Sequence, residues 1–294
     1  MKFFKGLILL TKSEILKELI LAPETLVVPD AYDPISAKII EAAGFQAVQC
    51  SGYSYSISRG YPNELDVSLN ENLNFTKSIV DAVTLPVMAD GEDGYGDGEE
   101  FCNNFKRFLQ TGIAGINLED QNLWDKASGQ VIVDEAVMVE KLADAIRIKL
   151  ELNLPDLIIN ARTDALKAFD DRSEGLKAAI SRANRYLELG ADLVFVTNVV
   201  TYEEAKLLAK EINGPLSITL GMSYNIDQIS INQCRDLGIA RVSLPSYLIM
   251  ASIQAMLDSL SSIKNSGEFT EVLSRKAIFS DFNLLAGWLR KRAN

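Results

Sequence analysis

The chain has 294 residues, 48% of them hydrophobic, with a formal charge of -11 and a pI near 4.7. That length admits one large core or two smaller ones, and an acidic chain without a dense basic run is not expected to bind nucleic acid. There is no histidine, which removes Ser-His-Asp and Cys-His nucleophilic schemes and His-ligated zinc. Acid–base work falls to carboxylates, Lys, Tyr, Cys or metal-bound water.

The opening Met1-Lys-Phe-Phe-Lys-Gly-Leu-Ile-Leu-Leu10 has the look of a signal peptide. Its apolar stretch is short, and charged helical sequence (Lys12, Glu14, Lys17, Glu18) follows at once, so a cytoplasmic protein is expected. No apolar run approaches the roughly 20 residues that span a bilayer, and no membrane partner is expected. Cys50, Cys102 and Cys234 are scattered and odd in number, which fits reduced thiols rather than a disulfide framework or a zinc site.

Residues 12–22 carry Ile15, Leu16, Leu19 and Ile20 at helical spacing, predicting an amphipathic helix within an N-terminal segment 1–23. Eight apolar runs follow, near 25–30, 46–51, 85–90, 114–119, 157–162, 192–197, 215–220 and 240–244. Helical patterns separate most of them, near 34–43, 71–82, 98–111, 134–150, 173–189, 201–212 and 226–237, with another at 246–262. The runs are apolar throughout rather than alternating, as buried parallel strands are. Eight strand–helix alternations predict an α/β fold, a (β/α)8 TIM barrel, with a doubly wound open sheet as the alternative. Gly44, Gly112, Gly190 and Gly238 end helix patterns as C-cap glycines do. No linker divides 24–262, so one domain spanning 1–294 is expected. Residues 265–294 form a C-terminal tail with an apolar stripe (Phe279, Phe282, Leu284, Leu285, Trp288, Leu289). Long connections at 52–69 and 120–133 read as loops of the length that lids have.

The chemistry concentrates at the C-terminal ends of the runs. Leu85-Pro-Val-Met-Ala-Asp90, Ala114-Gly-Ile-Asn-Leu-Glu119 and Leu157-Ile-Ile-Asn-Ala-Arg162 place carboxylates and a guanidinium around one barrel mouth, where barrels keep their active sites. In Asp90-Gly-Glu-Asp-Gly-Tyr-Gly96 the glycines permit sharp turns, and Asp90, Glu92 and Asp93 offer hard oxygen donors. Asp90, Glu92 and Glu119 are the expected metal ligands. Arg162 is expected to clamp an anion. Ser51, Gly52 and Tyr53 end the second run, and a Ser hydroxyl followed by backbone N–H groups suits a carboxylate or oxo group. The competing reading of each is ordinary: a capped turn, a surface acidic pair, a structural ion pair. Cys50 reads as core.

Taken together, Val28-Pro-Asp-Ala-Tyr-Asp-Pro34, Ser51-Gly-Tyr53, the 90–96 segment, Glu119-Asp-Gln121 and Ala161-Arg-Thr-Asp164 resemble the isocitrate lyase / phosphoenolpyruvate mutase superfamily from about residue 12 to 290. The resemblance implies a barrel whose last helix is often swapped between subunits of dimers and tetramers. It also implies Mg2+ and a small 2-oxo or 2-hydroxy acid substrate whose C–C or P–C bond beside the carboxylate is broken or made through an enolate. On that pattern Asp90 binds the metal directly, and Glu92 and Glu119 hold its waters. Ser51, Gly52, Tyr53, Asp90 and Arg162 contact substrate, with Ser51 and Arg162 among the catalytic residues. Three departures stand out. Glu92 replaces the usual second Asp of the metal motif. Asn63 replaces an Asp near the metal. The loop at 120–133 lacks the Cys and His of the isocitrate-type lyases. Lys126 is the expected catalytic loop lysine, displaced by one position from the phosphonomutase pattern, with no Asn after it and Asn122 before it. The expected function is a Mg2+-dependent C–C lyase. A phosphonomutase or phosphonopyruvate hydrolase, and a barrel that binds without catalysis, are the alternatives.

Overall fold

The computed structural model describes residues 10–62, 66–123 and 129–267, with 287 and 289. Eight parallel strands close into a barrel: β1 Leu26–Ala31, β2 Val48–Cys50, β3 Val87–Asp90, β4 Gly115–Glu119, β5 Ile158–Thr163, β6 Leu193–Val196, β7 Leu216–Thr219 and β8 Arg241–Leu244. Closure comes from β8 on β1, in register from Leu26 with Arg241 to Pro29 with Leu244. β1 and β5 match the length of the apolar runs that announce them, and the other strands are shorter. At β3 the cause is Pro86, which has no N–H for the ladder, although its carbonyl still accepts from Val48 N at 3.0 Å.

The expected first helix is α1, Lys12–Leu21, set by a capping box between Thr11 and Glu14. Its buried Leu16 and Ile20 pack on Leu26, Met88, Ile158 and Leu193, so α1 plugs the N-terminal mouth. The other predicted helices are α2 Pro34–Ala42, α4 Leu69–Ala82, α5 Gly98–Gln110, α6 Glu135–Glu151, α8 Arg172–Leu189, α9 Tyr202–Glu211 and α11 Tyr247–Ser266. They surround the barrel, and Phe101, Phe105, Met138, Leu142 and Tyr186 carry the core between helices and sheet.

Three differences from the sequence expectation bear on function. The expected loop after β2 opens with a helix, α3 Gly52–Ser58, whose N-cap Ser51 accepts from Ser54 N. A four-residue helix, α7 Ala165–Ala168, follows β5. The last inter-strand helix, α10, is confined to Ile231–Asp236 because Ser230 and Gln233 form a capping box there. Asn63, Lys126 and the tail's Phe279, Phe282, Leu284, Leu285 and Trp288 lie outside the described residues.

Beneath the C-terminal mouth the barrel interior turns polar. Arg241, fully buried, donates to Ser217 Oγ at 2.9 Å and Gln49 Oε1 at 2.7 Å. Asn160 donates to Asn117 Oδ1 at 2.7 Å. Side chains from adjacent and next-but-one strands thus bond one another inside the barrel, below the site.

Candidate active site

Asp90 ends β3, Glu119 ends β4 and Glu92 stands in the turn after β3. One carboxylate oxygen from each lies within 4.8 Å of the others. The turn is forced into this shape. Glu92 and Tyr95 take left-handed backbones with φ 49 and φ 57, strain that the surrounding contacts must hold. Gly91 N donates to Asn117 O and Glu119 N to Glu92 O, both at 2.9 Å, which stitches the turn to β4. A Cβ on Gly91 would come 2.6 Å from Asn117 O, so only glycine fits. Asn72 Nδ2 donates to the Asp90 carbonyl at 2.8 Å and the Tyr95 hydroxyl at 2.9 Å.

Asp93 departs from the expectation. Its Oδ1 accepts from Tyr95 N at 2.9 Å, and Lys141 Nζ reaches its carbonyl oxygen at 2.8 Å. Lys141 also pairs with Asp97 at 2.8 Å. Asp93 braces the turn and stands outside the carboxylate cluster.

Asp90 Oδ2 accepts from Gly52 N at 3.0 Å, while its buried Oδ1 lacks a well-formed hydrogen bond among the described residues. Burial raises the Asp90 pKa, against the pull of Arg162, the Gly52 N–H and Arg241. An all-oxygen donor set with one oxygen unsatisfied suits a hard divalent cation, which favours the ionised form that burial penalises. The residues present therefore fit such an ion.

Arg162, at the end of β5, is densely engaged. Its Nη1 lies 2.5 Å from Glu119 Oε2, and its Nε donates to Asp164 Oδ2 at 2.8 Å. Its Nη2 reaches Asp164 Oδ1 and Gln121 Oε1, each at 3.2 Å. Its guanidinium stands 5.9 Å over the Phe195 ring. Burial alone would lower its pKa, but Asp164 and Glu119 outweigh that and raise it. Asp164 is fully buried; burial would raise its pKa, yet Arg162 and Lys167 push it well below the carboxylate range.

The sequence profile described as Phosphoenolpyruvate phosphomutase matches residues 16–264. The chain belongs to the phosphoenolpyruvate phosphomutase family. Relatives within it include 2,3-dimethylmalate lyase of Eubacterium barkeri, 29% identical over 92% of this chain and 93% of that protein. Another is 2-methylisocitrate lyase of Halalkalibacterium halodurans, 30% identical over 82% of this chain and 78% of the relative. The fold matches phosphonopyruvate hydrolase solved with oxalate and Mg2+ (TM-score 0.83, 23% identity, 95% of each chain). It also matches 2,3-dimethylmalate lyase (TM-score 0.77, 23% identity, 89% of this chain and 90% of that one). The protein is an enzyme of the lyase and mutase type.

In this phosphomutase-family barrel Ser51, Tyr53, Asp90 and Arg162 line one cavity of about 240 Å³. Gly52, Glu92 and Glu119 are buried beside it. Ser51 Oγ is committed locally, accepting from Ser54 N at 3.1 Å and donating to Pro245 O at 3.2 Å. Asp30, Lys167, Thr197 and Tyr224 also line the cavity, and sequence reasoning missed their part. Asp30 had the signature that revealed Asp90, a carboxylate closing an apolar run. Lys167 carried no signal, because it sits on α7. No helix among the described residues is long and apolar enough to cross a membrane.

Proposed function

We propose that this enzyme is a Mg2+-dependent lyase that breaks or forms the C–C bond beside the carboxylate of a small 2-oxo or 2-hydroxy acid. The observation that carries this reading is the cluster of Asp90, Glu92 and Glu119, with oxygens within 4.8 Å, opening on a cavity that also holds a guanidinium and hydroxyls. Asp90, Glu92 and Glu119 would hold the ion. When bound, it supplies charge stabilisation to the substrate oxygens beside the bond that breaks.

The rest falls to the chain. Ser51, Gly52 and Tyr53 shape the wall that receives the carboxylate and oxo oxygens. Arg162 fixes Glu119 and Asp164 and presents its positive charge to the anion. Lys126, outside the described residues, is the proposed loop lysine of the catalytic set. The lyase reading is supported by relatives named for cleavage of dimethylmalate and methylisocitrate. The P–C branch is the second reading, favoured by a carboxyvinyl-carboxyphosphonate phosphorylmutase of Arabidopsis thaliana, 29% identical over 88% of this chain. Exposed Tyr247, Met250, Met256, Leu257 and Leu260 along α11 support a homo-oligomer, dimer or tetramer, built on that helix with the C-terminal segment swapped. The reading also places the enzyme in the cytoplasm.

A screen of 2-oxo and 2-hydroxy diacids and phosphonates, followed by pyruvate release and phosphorus NMR, tests the reaction. Mg2+-dependent turnover of a diacid that the Asp90→Ala protein lacks supports the lyase. Phosphonate turnover alone would move the assignment to the P–C branch, and silence across the panel would contradict both.

A further inference from the structure

Arg162 is not the lone cation on the cavity wall; Lys167 lines it too. All three nitrogens of Arg162 are already bound to protein acceptors, Glu119, Asp164 and Gln121. Lys167 differs. Its ammonium carries three N–H donors, and among the described residues it pairs with Asp164 Oδ1 at 2.6 Å. Asp164 takes only one of them, since its oxygens also receive Arg162 Nε and Nη2 and the Thr197 hydroxyl at 2.9 Å. A side chain with 40% exposure on the cavity wall therefore keeps donors to spare.

Its place in the barrel sets what it would meet. Ser51 follows β2 and Thr197 follows β6, four strands apart in a closed ring of eight, hence across the mouth from one another. Lys167 is tied to the Thr197 side through Asp164, and Tyr224 lines the same cavity. A small acid with its reacting carboxylate at Ser51 and Asp90 would extend its far end toward Lys167.

We propose that Lys167 is a specificity-determining residue that binds the remote carboxylate of the substrate, so that the enzyme selects diacids over monoacids. This rests on the metal-assisted acid site proposed above. The ammonium sets the charge of the subsite, and Thr197 and Tyr224 frame it. Asp164 acts as the holder, orienting the lysine through one of its three N–H donors.

The test is calorimetric titration of the full-length protein in Mg2+ with three probes: oxalate for the metal end, and the matched pair malate and 2-hydroxybutyrate, which differ in carrying a remote carboxylate or a methyl group. In Lys167→Met, malate is expected to lose about tenfold in affinity, the scale of one charge-assisted hydrogen bond. Oxalate and 2-hydroxybutyrate should keep theirs, which also shows that the site is folded. Lys167→Arg should restore most of the malate affinity. Equal changes for malate and 2-hydroxybutyrate would overturn the assignment of Lys167 and leave the metal-site reading intact. Failure of the wild-type protein to bind oxalate with Mg2+ would overturn both.

Discussion

Gly52 donates its backbone N–H to Asp90 Oδ2 at 3.0 Å, fastening the tip of β2 to the tip of β3 at a carboxylate on the cavity wall. The contact is close because Gly52 has no side chain. A Cβ there would overlap Glu92 Oε1 and lie 3.3 Å from Asp90 Oδ2. Gly52 is the first residue of α3, where alanine would otherwise favour the helix by up to about 1 kcal/mol. Gly52→Ala is thus expected to leave thermal stability nearly unchanged and weaken Mg2+ binding at least about tenfold, a cost of about 1.4 kcal/mol. Unaltered Mg2+ affinity would show that the carboxylates tolerate displacement.

Arg162 joins two buried carboxylates, Glu119 and Asp164. Removing it strands both in a low-dielectric site, so Arg162→Met is expected to destabilise the protein by about 3–5 kcal/mol in urea unfolding. Arg162→Lys keeps a charge but loses the fork that spans Asp164 and Glu119. It should recover part of the stability and little of the activity. A lysine variant with wild-type kcat/KM would reduce Arg162 to a counter-charge.

Asp30 gives the apo protein a pH signature. Burial lifts its carboxyl from 3.8 to about 7, against Arg241 and the Ser243 hydroxyl. The native state therefore holds this proton more tightly than the unfolded chain. The stabilisation it brings is complete below about pH 4 and is lost as pH rises through about 7. Asp30→Asn cannot ionise and still accepts from Ser243 and Leu244. Without metal, wild-type stability should fall relative to this variant between those values and run parallel to it above them. A constant difference across the range would show that Asp30 does not hold a proton in the fold.

Asp120 ties the long loop to the barrel. Its Oδ2 accepts from Arg182 at 3.0 Å and Tyr186 at 2.9 Å, its Oδ1 accepts from Asp164 N at 2.9 Å, and Arg182 also donates to Val133 O at 2.9 Å. Arg182→Met is expected to speed amide exchange at Asn122 and Val133, whose N–H groups close the base of the loop, with smaller changes at Glu119. Tyr186→Phe, losing a hydrogen bond to a buried carboxylate, should cost about 1.5–3 kcal/mol. Exchange unchanged at Asn122 would mean that the β-bridge of Gln121 with Ile132 suffices to hold the loop.

The barrel could be read from the sequence because parallel strands covered on both faces leave uninterrupted apolar runs, and Val194 or Ile218 needs no partner information to be placed inside. Asp90, Glu119 and Arg162 were visible for the same reason: charge at the end of such a run has few other uses. Helix α3 was not, since Gly-Tyr-Ser-Tyr-Ser-Ile-Ser lacks an amphipathic period and is held by Ser51 and Pro245. Arg241 opens an apolar run, yet it stands fully buried, held by Gln49 and Ser217 from other strands. Lys167 owes its role to Asp164 and Thr197, a meeting that spacing along the chain does not encode. The division of labour between Asp93, which braces the turn, and Glu92, which joins the cluster, depends on the left-handed backbone at Glu92.

The most direct test of the central claim is calorimetric titration of Mg2+ into the wild-type protein and into Asp90→Ala and Glu119→Gln. One Mg2+ per chain in the wild type, with at least about a hundredfold weaker binding in Asp90→Ala and an intermediate loss in Glu119→Gln, is the predicted result. Equal Mg2+ affinity in all three proteins, or none in the wild type, would contradict it.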